Sequence, residues 1–148
     1  MHSRLAEPPP ASLTYVLEEQ VGFILRQVAQ RHAALFASGV EGDITPTQWA
    51  ALAKLHETGP LSQNLLGRLT VMDAATIKGV IDRLLLRDLV ETRADPEDGR
   101  RRLVDLTDAG RHLVCRLVPQ ALRISADTLA PLDRDERDTL VRLLLKLR

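Results

Sequence analysis

Three consecutive arginines, Arg100, Arg101 and Arg102, form a dense cluster of side chains that could bind phosphate. Asp98 and Gly99 precede them and favour the positive-φ turn of a β-hairpin. Guanidinium groups at such a tip can pair with phosphates or enter the minor groove of DNA. In an isolated hairpin, three arginines would more simply form a solvated turn, so the elements before the hairpin decide between these interpretations.

Two predicted helices precede the hairpin. Ser62 caps a short helix over 63–69, and Asp73 caps a second helix that ends near Arg87. Alone, the second would be an ordinary surface helix. Two helices followed by a two-stranded ribbon are instead typical of a winged helix-turn-helix, whose second helix enters a major groove while the ribbon reaches a minor groove. The small and polar residues on the outer face of the second helix are Ala74, Ala75, Thr76, Lys78, Gly79, Asp82 and Arg83.

The chain before these elements is predicted to form an arm and two helices. Residues 1–12 contain a run of three prolines and little apolar sequence, which predicts a flexible arm. Apolar residues then recur at helical spacing over 13–37, and we expect Gly39 to end this helix in a left-handed cap. Thr45 and Gln48 predict a capping box at the start of the next helix.

Two more helices are predicted after the hairpin. Thr107 caps the first, in which Pro119 predicts a kink or break, and Asp133 caps the second. We therefore expect a mainly α fold with a small β-hairpin wing, organised as one domain over 13–148 with its winged helix-turn-helix at 45–107.

The two ends of this domain are more apolar than a monomer requires. The terminal helices, at 13–37 and 108–148, carry apolar residues on more than one narrow stripe. We expect these dimerisation helices to pair two copies about a two-fold axis. The alternative is a monomeric helical core that buries the same residues.

Composition leaves the partner of this domain open. The 148 residues are 45% hydrophobic, enough for the core of one domain. Twenty basic and twenty acidic residues give a net charge of zero, which argues mildly against nonspecific nucleic-acid binding. Zero charge favours an alternative in which the winged domain binds another protein and not DNA.

Enzymatic and metal-dependent functions find little support in the sequence. It contains no Gly-rich phosphate loop and no Gly-x-Ser-x-Gly motif, and its four histidines lack tight metal-ligand spacing. We expect no enzyme activity, no cofactor and no metal. Cys115 is the one cysteine, expected to be a buried, inert thiol. With no disulfide, no membrane span and no secretory signal in the sequence, we expect a cytoplasmic protein.

The hairpin and the next helix combine an Asp-x-Arg turn, an apolar strand and Leu-Thr-x-x-Gly. This pattern resembles the wing of MarR-type regulators. Segments 45–55 and 76–90 resemble the second helix and the recognition helix of that family, and the similarity extends from about Leu13 to the C-terminus. Asp88 stands where the family usually has glycine, but aspartate can adopt the left-handed conformation. The matching residues of the wing are Asp98, Arg100, Leu106, Thr107 and Gly110.

The resemblance implies a dimeric transcription regulator, usually a repressor, that binds a pseudo-palindromic operator in double-stranded DNA. By analogy, Arg100 enters the minor groove and Asp98 orients it. The resemblance also implies a ligand pocket between the dimerisation helices and the winged domain. The expected DNA-binding residues are Ala74, Ala75, Thr76, Lys78, Gly79, Arg83, Asp98, Arg100, Arg101 and Arg102.

Arg26 and His32 are candidate ligand-binding residues on the first helix. They lie six positions apart, differ in direction by about 120° and can flank one cleft. An arginine and a histidine facing apolar walls suit a small aromatic carboxylate of the benzoate or nicotinate type. Members of the family that sense aromatic acids use basic residues on this helix. Trp49 is a third candidate that can also belong to the core, and the alternative for Arg26 and His32 is helix–helix contact across the dimer.

Overall fold

The computed structural model describes residues 13–148, so the arm expected at 1–12 lies outside the described residues. The described chain contains six α-helices and three β-strands after a short 3-10 turn at Leu17–Glu19. The expected fold, mainly α with a small wing, is confirmed. In order, the elements are α1 (Val21–Gly39), α2 (Pro46–Thr58), β1 (Leu61–Ser62), α3 (Gln63–Leu69), α4 (Ala74–Leu86), β2 (Val90–Ala94), β3 (Arg102–Leu106), α5 (Asp108–Thr128) and α6 (Arg134–Leu147).

Short polar side chains start the helices where the sequence predicted them. Thr45 accepts a hydrogen bond from the Gln48 N–H, and the Gln48 side chain accepts one from the Thr45 N–H, which completes the capping box of α2. Asp133 and Glu136 form the same box at α6. Each cap satisfies backbone donors that the first turn of a helix leaves free. The remaining predicted caps also form, with Ser62 on α3, Asp73 on α4 and Thr107 on α5.

A three-stranded antiparallel sheet, in the order β1-β3-β2, replaces the two-stranded ribbon expected from the sequence. Val90 pairs with Leu106 at one end of the wing, and Ala94 pairs with Arg102 at the other. The unpredicted strand β1 pairs Leu61 with Val104 and Ser62 with Leu103. Two residues show no alternation of their own, so β1 exists only because β3 offers it a partner.

The core lies between the winged elements and α5. Leu52, Leu55, Leu66, Ile77 and Leu84 are fully buried there, and α5 contributes Val114 and Leu117. Gly110, in the first turn of α5, permits the closest approach, because an added Cβ would overlap the backbone carbonyl oxygen of Leu89. The glycine of the Leu-Thr-x-x-Gly pattern therefore packs α5 against the entry to the wing.

The first helix differs from the prediction at both ends. It begins at Val21 and not at Leu13, because Gln20 is extended and residues 13–16 form no helix. Gly39 is the last residue of α1 and does not form a left-handed cap. The chain turns three residues later, where Gly42 and Asp43 have φ values of 80° and 52°.

Of three further local predictions, one is wrong, one is wrong in part and one is confirmed. Gly99 has no positive φ, because a seven-residue loop, 95–101, connects the strands and needs no two-residue turn. Of the kink or break expected at Pro119, the break does not form: α5 continues through this residue, and buried Leu117 and Ile124 pack the helix on both sides of it. Asp88 does adopt the left-handed conformation, with φ 54°, as expected at a position where glycine is usual. No helix within 13–148 is both long and apolar enough to span a membrane.

Candidate nucleic-acid interface

The helix α4 has one buried face and one exposed face. Ile77, Val80, Ile81 and Leu84 pack into the core. The expected DNA-binding residues of this helix lie on its other side, where Ala74, Ala75, Thr76, Lys78 and Arg83 are exposed and Gly79 is half-buried. Small residues in the first turn leave the backbone accessible, so a flat surface or a groove can approach it closely.

Asp73 fixes the start of this helix. Its Oδ1 accepts a hydrogen bond from the Thr76 N–H at 2.7 Å. That bond, with help from the Thr76 side chain, holds the pKa of Asp73 below its ordinary value. Thr76 is one of the expected DNA-binding residues, so the cap and a candidate contact belong to one turn.

Lys78 has an acidic partner that the sequence analysis did not use. Its Nζ lies 2.8 Å from the Asp82 carboxylate, one turn further along α4, and both side chains are exposed. The i, i+4 spacing made this pair visible in the sequence. The pair lowers the local positive charge of α4, and contact of Lys78 with a phosphate requires this ion pair to open.

At the tip of the wing, Asp98 shapes the backbone. Its carboxylate accepts a hydrogen bond from the backbone N–H of Arg100 at 3.1 Å, and its carbonyl oxygen accepts one from the N–H of Arg101 at 3.0 Å. The structure therefore places Asp98 on the Arg100 main chain and not on its guanidinium. The Arg100 side chain is exposed to solvent.

Arg101 and Arg102 lie where the loop at the tip of the wing joins strand β3, and each contacts a neighbouring element. The Arg102 guanidinium donates to the Thr92 hydroxyl on β2 at 3.0 Å. The Arg101 guanidinium reaches the Ser62 hydroxyl, the cap of α3, at 3.4 Å. Together with Gln63 and Asn64, these residues line a hollow of about 250 Å³, which we call the polar hollow (Ser62, Gln63, Asn64, Arg101 and Arg102). Sequence analysis missed Ser62, Gln63 and Asn64 as site residues because strand β1, which brings them to the wing, was not predicted.

Asp105 fastens the wing to the helix that follows it. This carboxylate is only 10% exposed and lies 3.4 Å from Arg111 on α5 and 3.7 Å from Arg93 on β2. It also accepts the Leu106 N–H at 2.8 Å. A carboxylate with two guanidinium partners can be buried at acceptable cost. The wing is thus held at its base, while the Arg100 side chain at its tip is exposed.

The three candidate ligand residues do not line a common cavity. His32 Nδ1 lies 2.8 Å from the Thr128 hydroxyl at the end of α5, whereas Arg26 is exposed. Trp49 is partly buried and packs against the core. Beside His32, the Arg31 guanidinium donates to the carbonyl oxygens of Asp127 and Thr128, at 2.9 and 2.7 Å.

Two apolar hollows border α1 without including these three residues. One, of about 400 Å³, lies between the C-terminal part of α1 and the start of α2, where Phe36, Ile44 and Pro46 contribute to its wall. The other, of about 310 Å³, lies between α1, α5 and α6 beside Val28 and Arg31. Each is large enough for a small aromatic ring.

Large apolar side chains remain exposed on the terminal helices. No residue of α6 is buried, although its sequence is strongly amphipathic. We call this surface the apolar terminal face. Its members are Val21, Ile24, Leu25 and Val28 on α1, Leu122 on α5, and Val141, Leu143, Leu144, Leu145 and Leu147 on α6.

Cys115 is exposed, so the expectation of a buried thiol is wrong. Leu113, Val114 and Leu117 face the core, and the helical rotation turns Cys115 away from them. Its Sγ lies 4.0 Å from His56 Nε2.

The described residues contain no cluster of three or more histidine, cysteine or acidic side chains that could hold a metal ion.

Comparison with known proteins places this geometry among transcriptional regulators. A family model described as MarR family matches residues 42–101. The chain is 37% identical over 140 residues to the HTH-type transcriptional repressor NicR of Pseudomonas putida, a match that covers 94% of this chain and 89% of that protein.

Solved structures agree with this match. A probable transcriptional regulator from Pseudomonas aeruginosa superposes with a TM-score of 0.88 and 56% identity, over 90% of this chain and 100% of that one. BpsR of Bordetella bronchiseptica, whose structure concerns regulation of DNA binding by 6-hydroxynicotinic acid, superposes with a TM-score of 0.86 and 39% identity, over 90% and 96% of the two chains. The similarity therefore extends well beyond the winged segment.

Proposed function

The chain belongs to the MarR family of transcriptional regulators, and we propose that it is a homodimeric repressor that binds a pseudo-palindromic operator and is released by a small aromatic carboxylate. The proposed DNA binding rests on two exposed features. One is the outer face of α4, whose first turn carries small side chains after the Asp73 cap, and the other is the wing that follows, with an exposed arginine at its tip. Such a pair of elements reads a major groove and the adjacent minor groove.

The apolar terminal face supports a dimer. An amphipathic helix such as α6 gains most of its stability from burying its apolar side, yet every residue of α6 is at least partly exposed in one copy. A second copy offers the same surface, and two-fold pairing would bury both at once. The two α4 helices would then be available to successive major grooves, about 34–36 Å apart.

Two kinds of observation support the effector. NicR and BpsR are each identical to this chain at more than a third of the aligned residues. The BpsR structure concerns a hydroxylated nicotinic acid. In this chain, His32 is anchored by Thr128, and apolar hollows flank α1. We propose that pairing of two copies adds Arg26 to the site, where it binds the carboxylate. The alternative is that Arg26 and His32 only pack across the dimer.

A binding assay with the DNA that flanks the gene tests the proposal. Fluorescence anisotropy should detect one dimer bound to a discrete segment more tightly than to a random duplex of equal length, and light scattering should give twice the mass of the chain. Absence of binding to any duplex would overturn the proposal. It would favour the alternative, a winged domain that binds another protein, which the zero net charge of the chain supports.

A further inference from the structure

The chain between α1 and α2 turns at two consecutive residues with positive φ, Gly42 and Asp43. Just before them, the Glu41 N–H donates to the Gln120 side chain of α5 at 3.0 Å. Just after them, Ile44 is buried in the core of the winged elements. The turn at Gly42 and Asp43, which we call the hinge, therefore joins a residue bonded to a dimerisation helix to a residue fixed in the winged core.

Arg87, the residue that ends α4, holds both carbonyl groups of the hinge. One nitrogen of its guanidinium donates to the Gly42 carbonyl oxygen at 2.7 Å, and another donates to that of Asp43 at 3.3 Å. The planar guanidinium presents its donors in a fixed fork, so one side chain can restrain two consecutive peptide units. Within the described residues, no other hydrogen bond joins the hinge to the end of α4.

Packing around the hinge is loose. Asp43, Ile44 and Thr45 contribute to the wall of the apolar hollow of about 400 Å³ between α1 and the start of α2. An added Cβ at Gly42 would meet no atom within 4 Å. The hinge therefore has space in which to change its conformation, and its rigidity depends on the two bonds from Arg87.

We propose that Arg87 is a positioning residue that locks the hinge and thereby sets the spacing of the two α4 helices in the dimer. The inference rests on the proposed function and concerns its regulation. With the hinge locked, the α4 helices are held in advance at the separation of successive major grooves, so DNA binding does not have to order them. With the hinge released, each winged region can rotate relative to α1. A ligand that binds beside α1 and favours the released hinge weakens operator binding.

Contact with a DNA phosphate is the alternative role for Arg87. Its side chain is exposed and lies one turn after Arg83, an expected DNA-binding residue. A phosphate contact would require the bonds to the hinge to open. The two roles predict different measurements, because a phosphate contact changes the salt dependence of binding, whereas a locked hinge changes the tolerance for the spacing of half-sites.

The test compares the operator segment found by the binding assay above with the same segment carrying one extra base pair between its half-sites. The insertion moves one half-site by about 3.4 Å along the helix axis and turns it by about 35°. Fluorescence anisotropy gives the affinities of wild type and Arg87→Gln for both duplexes, and for a random duplex over a series of salt concentrations. Arg83→Gln is the matched control for loss of one positive charge on the same helix. Circular dichroism and light scattering confirm that each variant is folded and dimeric.

Wild type should bind the operator more tightly than the inserted duplex, since its α4 helices are held at one spacing. Arg87→Gln should reduce this ratio about 2- to 10-fold, because deforming the hinge no longer breaks a hydrogen bond of the usual worth. Its slope of log K against log salt on the random duplex should equal that of wild type. Arg83→Gln should keep the wild-type ratio and lower the slope by about one unit per protomer, as expected for a lost phosphate contact.

Two glycines with the same backbone conformation provide an independent test. Gly42 and Gly59 have φ values of 80° and 83°, and at neither would an added Cβ meet an atom within 4 Å. Alanine is strained at such φ values, so Gly42→Ala distorts the hinge and Gly59→Ala distorts the turn after α2. Gly42→Ala should reduce the ratio of operator to inserted-duplex affinity, and Gly59→Ala should keep it. This pair decides the question if Arg87→Gln does not fold.

Several outcomes would overturn the inference while leaving the proposed function intact. They are equal affinities of wild type for the operator and the inserted duplex, a wild-type ratio in Arg87→Gln or in Gly42→Ala, and an equal reduction of the ratio in Gly59→Ala. A lowered salt slope in Arg87→Gln would identify Arg87 as a phosphate contact instead. Failure of wild type to bind any duplex would overturn both the inference and the proposed function.

Discussion

The carboxylate of Asp73 accepts a hydrogen bond from the backbone N–H of Thr76 at 2.7 Å, which couples the start of α4 to an expected DNA-binding residue. The bond favours the ionised carboxylate and keeps the pKa of Asp73 below the ordinary 3.8. A carboxylate with a lowered pKa stabilises the folded state above the unfolded-state pKa. This contribution is lost as the pH falls through the folded-state value.

We expect Asp73→Ala to lower the melting temperature at neutral pH and to weaken DNA binding. The loss relative to wild type should be constant above about pH 5 and should shrink as the pH falls below 4, where the wild-type carboxylate becomes protonated. Thermal unfolding followed by circular dichroism from pH 7 to pH 3 measures this. Asp73→Asn is the control, because asparagine also caps helices but does not titrate. An equal deficit of Asp73→Ala at pH 3 and pH 6 would contradict the role of the charge.

The ion pair between Lys78 and Asp82 predicts opposite effects of two substitutions on DNA affinity. Asp82→Ala should strengthen binding to all sequences, because Lys78 no longer has to leave a carboxylate 2.8 Å away. Lys78→Ala should weaken binding across sequences if it contacts a phosphate. Anisotropy with operator and random duplexes compares the two. Equal affinities for Lys78→Ala, Asp82→Ala and wild type would show that this face of α4 does not meet DNA.

Thr76 and Arg83 are predicted to differ in their effect on specificity. Thr76 can contact a thymine methyl group or a base edge, so Thr76→Ala should reduce the ratio of operator to random affinity. Arg83 is expected near the backbone, so Arg83→Ala should weaken both affinities alike. The ratio is measured at one fixed salt concentration. If Thr76, Lys78 and Arg83 can all be replaced by alanine without loss, the assignment of α4 as the recognition helix is refuted.

Arg100 should matter more than its neighbours in the wing. Its side chain is exposed at the tip, where a guanidinium can combine charge with recognition of minor-groove shape. We expect Arg100→Ala to weaken operator binding by about 10- to 100-fold, corresponding to roughly 1.4–3 kcal/mol. Arg102→Ala removes the same charge at the start of β3, where the guanidinium is held by Thr92, and should cost less. Operator binding by Arg100→Ala as tight as wild type at physiological salt would refute minor-groove insertion.

The sequence predicted those features that depend on neighbouring residues and missed those that depend on distant ones. The caps at Thr45, Asp73 and Asp133 form within a few residues, so their spacing was sufficient. Strand β1 depends on β3, which lies about 40 positions further along the chain. Its absence from the prediction hid the polar hollow.

Contacts between elements that are distant in the sequence explain the remaining differences between the predicted and the observed candidate site. Cys115 has apolar neighbours in the sequence, which suggested that it is buried. Those neighbours lie on the side of α5 that faces the core, whereas Cys115 lies on another side and is exposed. His32 and Arg31 differ in role because Arg31 reaches the carbonyl groups that end α5, a contact across almost 100 positions. No local pattern could reveal that both basic residues contact the end of α5.

The apolar terminal face predicts a dimer that one charge can dissociate. Leu144→Asp removes about 2 kcal/mol of apolar burial per protomer, and two-fold symmetry counts it twice, so the dimer dissociation constant should rise roughly 10³-fold. Size exclusion with light scattering measures the mass at micromolar concentration. Lys146→Asp, on the polar side of the same helix, should remain dimeric. A wild-type protein that is monomeric at micromolar concentration would contradict this prediction.

Release from DNA by a small aromatic acid is the last prediction, and His32 gives it a chemical signature. The Thr128 hydroxyl donates to the Ile124 carbonyl oxygen at 2.8 Å, so it can only accept from His32 Nδ1, and Nε2 of a neutral His32 is left as an acceptor. A ring hydroxyl can donate to that nitrogen while Arg26 holds the carboxylate. Hydroxylated benzoates and nicotinates should therefore bind about 2- to 10-fold more tightly than their parent acids, the usual worth of a neutral hydrogen bond.

Calorimetry with matched pairs of parent and hydroxylated acids measures this preference. His32→Ala should abolish it, Arg26→Ala should weaken both members of each pair, and Gln27→Ala, exposed beside Arg26, should change neither. At saturation, the effector should weaken operator binding roughly 5- to 150-fold, because coupling between two sites is typically about 1–3 kcal/mol. If no acid binds, or if Arg26→Ala and His32→Ala bind as wild type does, the effector site lies elsewhere. The DNA-binding surface at α4 and the wing would be unaffected by that result, since its residues and tests are separate.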